Sequence, residues 1–422
     1  MYTLDRRMKV KVAFRRWRSV SALLVVSAVV LASCASTHST SPASKVKQPM
    51  FVGLDTTTTG GASFIGVPVE QGYELAFANI DRGGGLLGHK IELVARDDGG
   101  SITAAISNVK SMITTNKIVA LFGPDNSAVA AAEIPVVKAN SNLAFISASA
   151  NDVALTTTDL TNRTILATPN TVMEPTAAAM YVAKHLSGLG TIRLALIAPD
   201  YNFGLSSIAS FQRALSALGV HYTVVAKELP SPTATSFVQY LPELETTRPN
   251  LIFSVLFGGQ LATFTKEAAS VSLLTHTHVL SYYGAAEVAA LPATVRGPNL
   301  IGLNRAPFWA LSGKGASQVI SQWHRKYGTW PSEWGLEAYA AAQVWAEGVH
   351  RAGSFDAKKV VAALLGRSAQ SILGSYLIKG CDHQELLPDF VGPVSSAVSR
   401  KYGETIYSHT DTEVGVSGAV CP

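Results

Sequence analysis

The sequence predicts an α/β protein made of two consecutive Rossmann-like lobes, each on a parallel sheet. Three observations lead there. Short β-type runs alternate with helical periods from Phe51 onward. The alternation restarts after an extended connector at Thr164–Thr171, with runs beginning at 193, 222, 251 and 278, or 29, 29 and 27 residues apart. The runs are apolar almost throughout, as strands covered on both faces must be. Strand, helix and strand repeated in this way give right-handed crossovers and a buried parallel sheet.

The elements follow in order. FVGL (51–54), IELVA (91–95), IVALF (118–122) and LAFIS (143–147) read as strands of the first series. Between them Val69, Tyr73, Ala76 and Ile80, then Ile102, Ala105, Ile106, Val109 and Ile113, keep an apolar stripe at helical spacing. RLALIA (193–198), YTVVA (222–226), LIFSVL (251–256) and HVLS (278–281) form the second series, with a helix marked by Ile208, Phe211, Leu215 and Leu218. A late helical block carries Val319, Trp323 and Tyr327, then Ala338, Ala342, Trp345 and Val349. It must pack on sheets already formed, so the chain re-crosses between lobes.

Composition narrows the function classes. Of 422 residues, 47% are hydrophobic and 15% charged, enough for a sizeable core. The net charge of +5 belongs to the first 33 residues, which hold Arg6, Arg7, Lys9, Lys11, Arg15, Arg16 and Arg18 against Asp5. Without them 27 bases face 28 acids, a net of −1. Nucleic-acid binding is not expected, because it needs basic residues gathered on the folded part. The basic stretch precedes uncharged Val20–Ala32 and then Leu31-Ala32-Ser33-Cys34, which resembles a bacterial lipobox. The expectation is a signal peptide over 1–33, lipidation at Cys34 and a Ser/Thr/Pro-rich tether over 34–48. Export permits disulfides, so a bridge between Cys381 and Cys421 is expected.

Ligands of parallel α/β sheets sit beyond the carboxyl ends of strands. The run at 118–122 ends in Gly123-Pro124-Asp125-Asn126-Ser127 before an Ala-rich helix, and the run at 143–147 ends in Ser147-Ala148-Ser149-Ala150-Asn151. Hydroxyls beside free helix N–H groups suit a carboxylate. Ser127 and Asn151 could equally serve as helix caps. In the second series Phe203, Phe257, Gln260, Tyr282 and Tyr283 lie at strand ends, and Phe64 and Ile65 in the first loop offer a further wall. Three patterns are set aside. Gly83–Gly88 matches G-x-G-x-x-G but follows a helix, so Gly83–Gly85 reads as a left-handed helix cap. His276 and His278 lack a third metal ligand, and Asp97-Asp98 reads as a turn. No cofactor or metal is expected, nor catalysis, because neither a nucleophile elbow nor a P-loop is present.

The segments MFVGLDTTTTGGASFIGVPVEQGYELAFANIDRGGGLLGHKIELVARDDGG, LFGPDNSAVAAAEIPVVKANSNLAFISASANDVALT, GTWPSEWGLEAYAAAQVWAEGVHRAGSFDAKKVVAALLG and GSYLIKGCDHQELLPDFVG occur in the order found in leucine/isoleucine/valine-type periplasmic binding proteins. The chain resembles that family over about 49 to 400. The resemblance implies the type 1 fold, with a three-strand hinge near 164–170, 299–307 and 370–377. Lobe one is then expected at 49–165 plus 306–370, and lobe two at 166–305 plus 371–415. The family places ligand-carboxylate contacts at Ser127, Ser149 and Asn151, with Asn126, Phe64, Phe203, Gln260 and Tyr283 as further site residues. Amino-acid-binding members carry an acid where Tyr283 stands, to pair an ammonium; Asp125 and Glu287 are candidate substitutes, and the departure points away from a simple α-amino acid toward an amide, a urea-like solute, a hydrophobic carboxylate or an aromatic acid. The implied function is a monomeric, lipid-anchored solute-binding protein outside the bacterial cell membrane. It would deliver a branched-chain amino acid, an amide or a related carboxylate to an ABC transporter permease. A ligand-sensing receptor using the same cleft, and more remotely an exported hydrolase, are the rival readings.

Overall fold

A computed structural model describes residues 47–413 and 415. The expected signal peptide, Cys34, most of the tether and Cys421 lie outside the described residues. Cys381 is disulfide-bonded.

The first half is built from β1 (Met50–Thr56), α1 (Ser63–Arg82), β2 (Ile91–Asp97), α2 (Ile102–Ser111), β3 (Ala120–Phe122), α3 (Ser127–Ala139), β4 (Ala144–Ser147) and β5 (Thr164–Leu166). The five strands pair in the order β2-β1-β3-β4-β5, all parallel. Alternate side chains bury on opposite faces. Ala120, Phe122, Ala144 and Ile146 join one core with Val52 and Leu54, while Leu121 and Phe145 join the other. This two-sided burial is why the runs are apolar without a polar alternation. Residues 164–166 were expected as a connector and are the edge strand of this sheet.

The second half contains α4 (Met173–His185), β6 (Ile192–Ile197), α5 (Asn202–Ala217), β7 (Tyr222–Glu228), α6 (Leu241–Thr247), β8 (Leu251–Ser254), α7 (Gly258–Ser270), β9 (His278–Ser281), α8 (Ala285–Ala289) and β10 (Leu300–Asn304). The chain then returns to the first half with α9 (Lys314–Tyr327), α10 (Glu333–Ala352) and α11 (Ala357–Ala362), and forms a hairpin of β11 (Arg367–Ser371) and β12 (Gly374–Ile378). It re-enters the second half with β13 (Asp389–Val398), β14 (Thr405–Tyr407) and β15 (Asp411–Glu413). The second sheet runs β14-β13-β10-β9-β8-β6-β7, with β15 also on β13. Pairs among β6 to β10 are parallel; β13 pairs antiparallel with β10.

The alternation recurs here: Leu194, Leu196, Leu251 and Phe253 bury toward α4 and α5, Ala195, Ile197 and Ile252 toward α6 and α7. The late helices cover the first sheet, as their need for a formed surface requires. Val319, Trp323, Ala338, Ala342, Trp345 and Val349 all bury with Tyr73 and Phe122.

The third crossing lies elsewhere than expected. Residues 370–377 are hairpin, and Ala369, Ile372 and Ile378 bury in the first core. Apolar side chains facing α10 hold this segment to the first half. The chain crosses only between Ile378 and Asp389, where Gln384 bridges in parallel to Leu166 on the first crossing. The second crossing falls between Asn304 of β10 and Ala306, which is already in the first core. The end of α1 also differs in detail: Gly83 keeps φ −78°, and the left-handed residues are Gly84 and Gly85.

Candidate functional site

Strand order reverses between β1 and β3 in the first sheet and between β6 and β8 in the second. Loops leaving the carboxyl ends of neighbouring strands part at such points and leave a crevice. Here the two crevices face one another. A cavity of about 20 Å³ lies between them, lined by Ile65, Asp125, Ser127, Ser149, Asn151, Tyr201, Phe203, Phe257, Arg305 and Trp334.

The first half supplies the hydroxyls. Asn126 caps α3, its side-chain oxygen accepting from the N–H of Ala128 at 2.7 Å. This sets Ser127 as the first helical residue. Its Oγ accepts from the N–H groups of Asn151 and Asp152 at 3.3 and 3.2 Å, so its own proton remains free to donate. Ser149 Oγ is buried and makes no hydrogen bond among the described residues. A buried hydroxyl without a partner costs about 1–3 kcal/mol, which is a reason to expect a partner from a ligand.

Arg305 supplies charge. It follows β10 and is 3% exposed. Its Nε donates to Glu174 Oε1 at 2.6 Å, and Nη1 donates to Thr168 Oγ1 at 3.1 Å and to the Ser149 carbonyl at 3.2 Å. Glu337 Oε2 is 3.6 Å from Nη1, and the guanidinium lies 4.7 Å from the centre of the Trp334 ring. Burial alone would pull the guanidinium pKa down, but Glu174 and Glu337 outweigh it and raise it. Nη2 makes no hydrogen bond among the described residues. Glu337 itself is pushed up to about 8 by burial, despite the nearby arginine.

Asp125 lines the same cavity. It accepts from Thr56 Oγ1 and from the Thr57 N–H at 2.8 Å each. Burial still pushes its pKa up to about 7, against those two hydrogen bonds. Behind it lie three buried acids. Asp55 is raised to about 7, first by burial and then by Asp98, against an Asn108 hydrogen bond; Glu133 is raised well above its ordinary range by burial and by Asp55.

The remaining wall is aromatic. Phe203 packs edge-on against Phe257 with ring centres 5.7 Å apart, and Tyr201 lies 5.8 Å from Phe203. Phe64, beside the cavity, meets Phe257 across the halves at 6.2 Å.

Of the residues expected at the site, Ser127, Ser149, Asn151 and Phe203 line the cavity. Asn151 contributes mostly structure, since its side-chain amide donates to the Pro169 carbonyl and to Glu174. Three expected residues are placed elsewhere. Asn126 is spent on the helix cap. Gln260 donates to the carbonyls of Pro232 and Ala234 in the loop after β7 and is not among the cavity-lining residues. Tyr283 is buried in the core between α7 and β14, bonded to Thr265 Oγ1 at 2.8 Å. A strand-end pair points to opposite faces, so it is Tyr282 that turns toward Phe203 and Glu174. Of the candidate acids, Asp125 lines the cavity, whereas Glu287 lies outside it beside Gly284 and Glu333. Arg305 and Trp334 were not anticipated. Arg305 carried a usable signal: it directly follows a parallel strand, where the rule that located Ser127 applies equally.

The periplasmic binding protein family matches residues 49–391 of this chain. The Leu/Ile/Val-binding protein BraC3 of Rhizobium johnstonii is 25% identical over 344 residues, covering 76% of this chain and 85% of that one. A solute-binding protein of an ABC transporter from Rhodopseudomonas palustris, solved with 3,4-dihydroxybenzoic acid, superposes with a TM-score of 0.75 at 18% identity, over 87% of this chain and 98% of that one. A branched-chain amino acid transporter substrate-binding protein from Streptococcus pneumoniae, solved with isoleucine, also gives 0.75, at 17% identity over 87% and 99%. These matches agree with the resemblance read from the sequence and with the parallel-sheet fold. Among the described residues no helix is long and apolar enough to cross a membrane.

Proposed function

Given that the chain belongs to the periplasmic binding protein family, we propose that it captures a small carboxylate with an apolar body outside the cell and delivers it to an ABC transporter permease. Cys34, at the end of its lipobox-like stretch, would hold it to the membrane by lipid. The observation that carries the solute class is the convergence of Arg305, Ser127 and Ser149 on one aromatic-walled cavity. A carboxylate accepts from two hydroxyls and from a guanidinium N–H at once, and charge-assisted hydrogen bonds of this kind are the stronger ones. Phe203, Phe257, Ile65 and Trp334 would enclose the apolar body. Asp125 offers a counter-charge for an ammonium, which favours an apolar α-amino acid over a simple aromatic acid. An ammonium there would hold Asp125 ionised, where burial alone pushes it toward neutrality.

The cavity as it stands has room for about one water molecule. Solute entry therefore needs the halves to part about the three crossings and close again, with the population of closed protein set by contacts made only on closure. Binding and closure require no chemical step.

The test is a thermal-shift and calorimetric panel on the mature chain. Leucine, isoleucine, valine and benzoate are each compared with the matching carboxamide, because a ligand that binds only the folded state raises its midpoint. Carboxylates are expected to bind and carboxamides to fail. A carboxamide binding as tightly as its acid would overturn the reading.

A further inference from the structure

Far from the cleft, at the other end of α4, three metal-ligating side chains meet. His185 closes the last turn of α4, Asp411 opens the strand β15 laid beside it, and His409 lies in the bend just before that strand. Their ligand atoms all lie within 4.8 Å of one another. His185 Nε2 stands 2.6 Å from Asp411 Oδ2, and the rings of His185 and His409 are 5.9 Å apart between centres. The group is reachable from solvent but not fully exposed, with the His185 side chain 32% and the Asp411 side chain 16% accessible.

We propose that His185, His409 and Asp411 form a binding site for a divalent transition ion of the zinc class. Two imidazoles and one carboxylate suit zinc, nickel or copper, whereas magnesium and calcium prefer oxygen-only sets. Three protein ligands leave a fourth position to solvent in a tetrahedral site. The ligands come from two segments far apart in sequence, so the ion would clip the C-terminal strand β15 to α4. Lys184 opposes the ion: its ammonium lies 2.7 Å from the same Asp411 oxygen. A metal must displace that ammonium or use the other carboxylate oxygen. The expected affinity is therefore moderate, and it rises when the lysine charge is removed.

The site makes no use of the cleft, so its test is separate from that of solute binding. The mature chain, treated with EDTA and dialysed, is titrated with zinc chloride by calorimetry and followed by thermal shift. One equivalent is expected to bind and to raise the melting point. His185→Ala and His409→Ala should each weaken binding by more than about tenfold, since loss of even an outer-shell partner of a metal ligand costs about 10–100-fold. Lys184→Gln should strengthen it, while magnesium and calcium give no shift. Cobalt substitution should give the intense visible absorption of a tetrahedral ion. Circular dichroism of each variant shows whether it is folded. No stoichiometric zinc binding to the folded wild-type chain, or binding unchanged in the folded double variant His185→Ala/His409→Ala, would overturn the proposal.

Discussion

The ring of Phe64, carried by α1 in the first half, lies flat against the bare backbone of Gly258, the first residue of α7 in the second. A Cβ built on Gly258 would fall 1.9 Å from Phe64 Cζ, and the residue has φ +56°. Only glycine combines that backbone with that clearance.

Gly258→Ala should therefore hinder closure. The left-handed backbone costs about 1–2 kcal/mol for alanine wherever the halves stand, and this part appears as a lower melting point. The ring clash appears only on closure, as weaker solute binding by calorimetry. Adding Phe64→Ala should restore affinity relative to Gly258→Ala alone without restoring the melting point. Affinity unchanged in Gly258→Ala would show that the contact is not made in the bound form.

Ser149→Ala and Ser127→Ala separate binding from folding. Among the described residues Ser149 Oγ has no partner to lose, so its removal should leave thermal stability unchanged or slightly raised. Solute affinity should fall by about 0.5–1.5 kcal/mol, the net worth of one hydrogen bond. Ser127 Oγ holds two backbone N–H groups. Its removal should weaken affinity and also destabilise the fold by about 1–3 kcal/mol, because buried donors lose their acceptor. Chemical denaturation alongside calorimetry distinguishes the two.

Arg305→Met leaves Glu174 buried without its cation. A pair broken in this way costs about 3–5 kcal/mol, measured by denaturation. The companion Arg305→Met/Glu174→Gln should recover much of that stability while carboxylate binding stays lost. Carboxylate binding that survived in the stable double variant would remove Arg305 from the site.

Stability should fall as pH rises from about 4 to about 7. Asp55 and Asp125 have folded-state pKa values near 7 against 3.8 when unfolded, chiefly through burial. Over that interval the folded chain holds protons that the unfolded chain has released, so raising pH favours unfolding; the loss is complete above the folded values. Glu337, raised to about 8, extends the decline slightly upward. Asp125→Asn should flatten the slope of denaturation free energy against pH. A stability that instead rose steadily between pH 4 and 7 would show these acids to be ionised and well paired.

The strands were legible because double-sided burial demands apolar runs: Leu121 and Phe145 bury in one core while their chain neighbours Phe122 and Ile146 bury in the other. The places of Ser127 and Ser149 on the cavity were legible because loops at the carboxyl ends of strands border the crevice. The hairpin at 367–378 was not, since Arg367-Ser-Ala-Gln-Ser looks polar and only Ala369 and Ser371 bury. Its place follows from contact with α10, which no local pattern encodes. Tyr283 was misplaced because adjacent strand-end residues point oppositely and the sequence does not say which faces the cleft. Arg305 escaped because its charge is satisfied by Glu174 and Glu337, brought from positions 131 and 32 residues away by the two other segments.

That arginine stands at the second crossing, with an acid from each half at its sides: Glu174 from α4 and Glu337 from α10. Any swing that separates the halves must lengthen one of those ion pairs before a captured solute can escape. Arrival and departure both need that swing, so the electrostatic toll falls on each. The rate of exchange, in both directions, becomes the quantity that substitutions at 174 or 337 would retune.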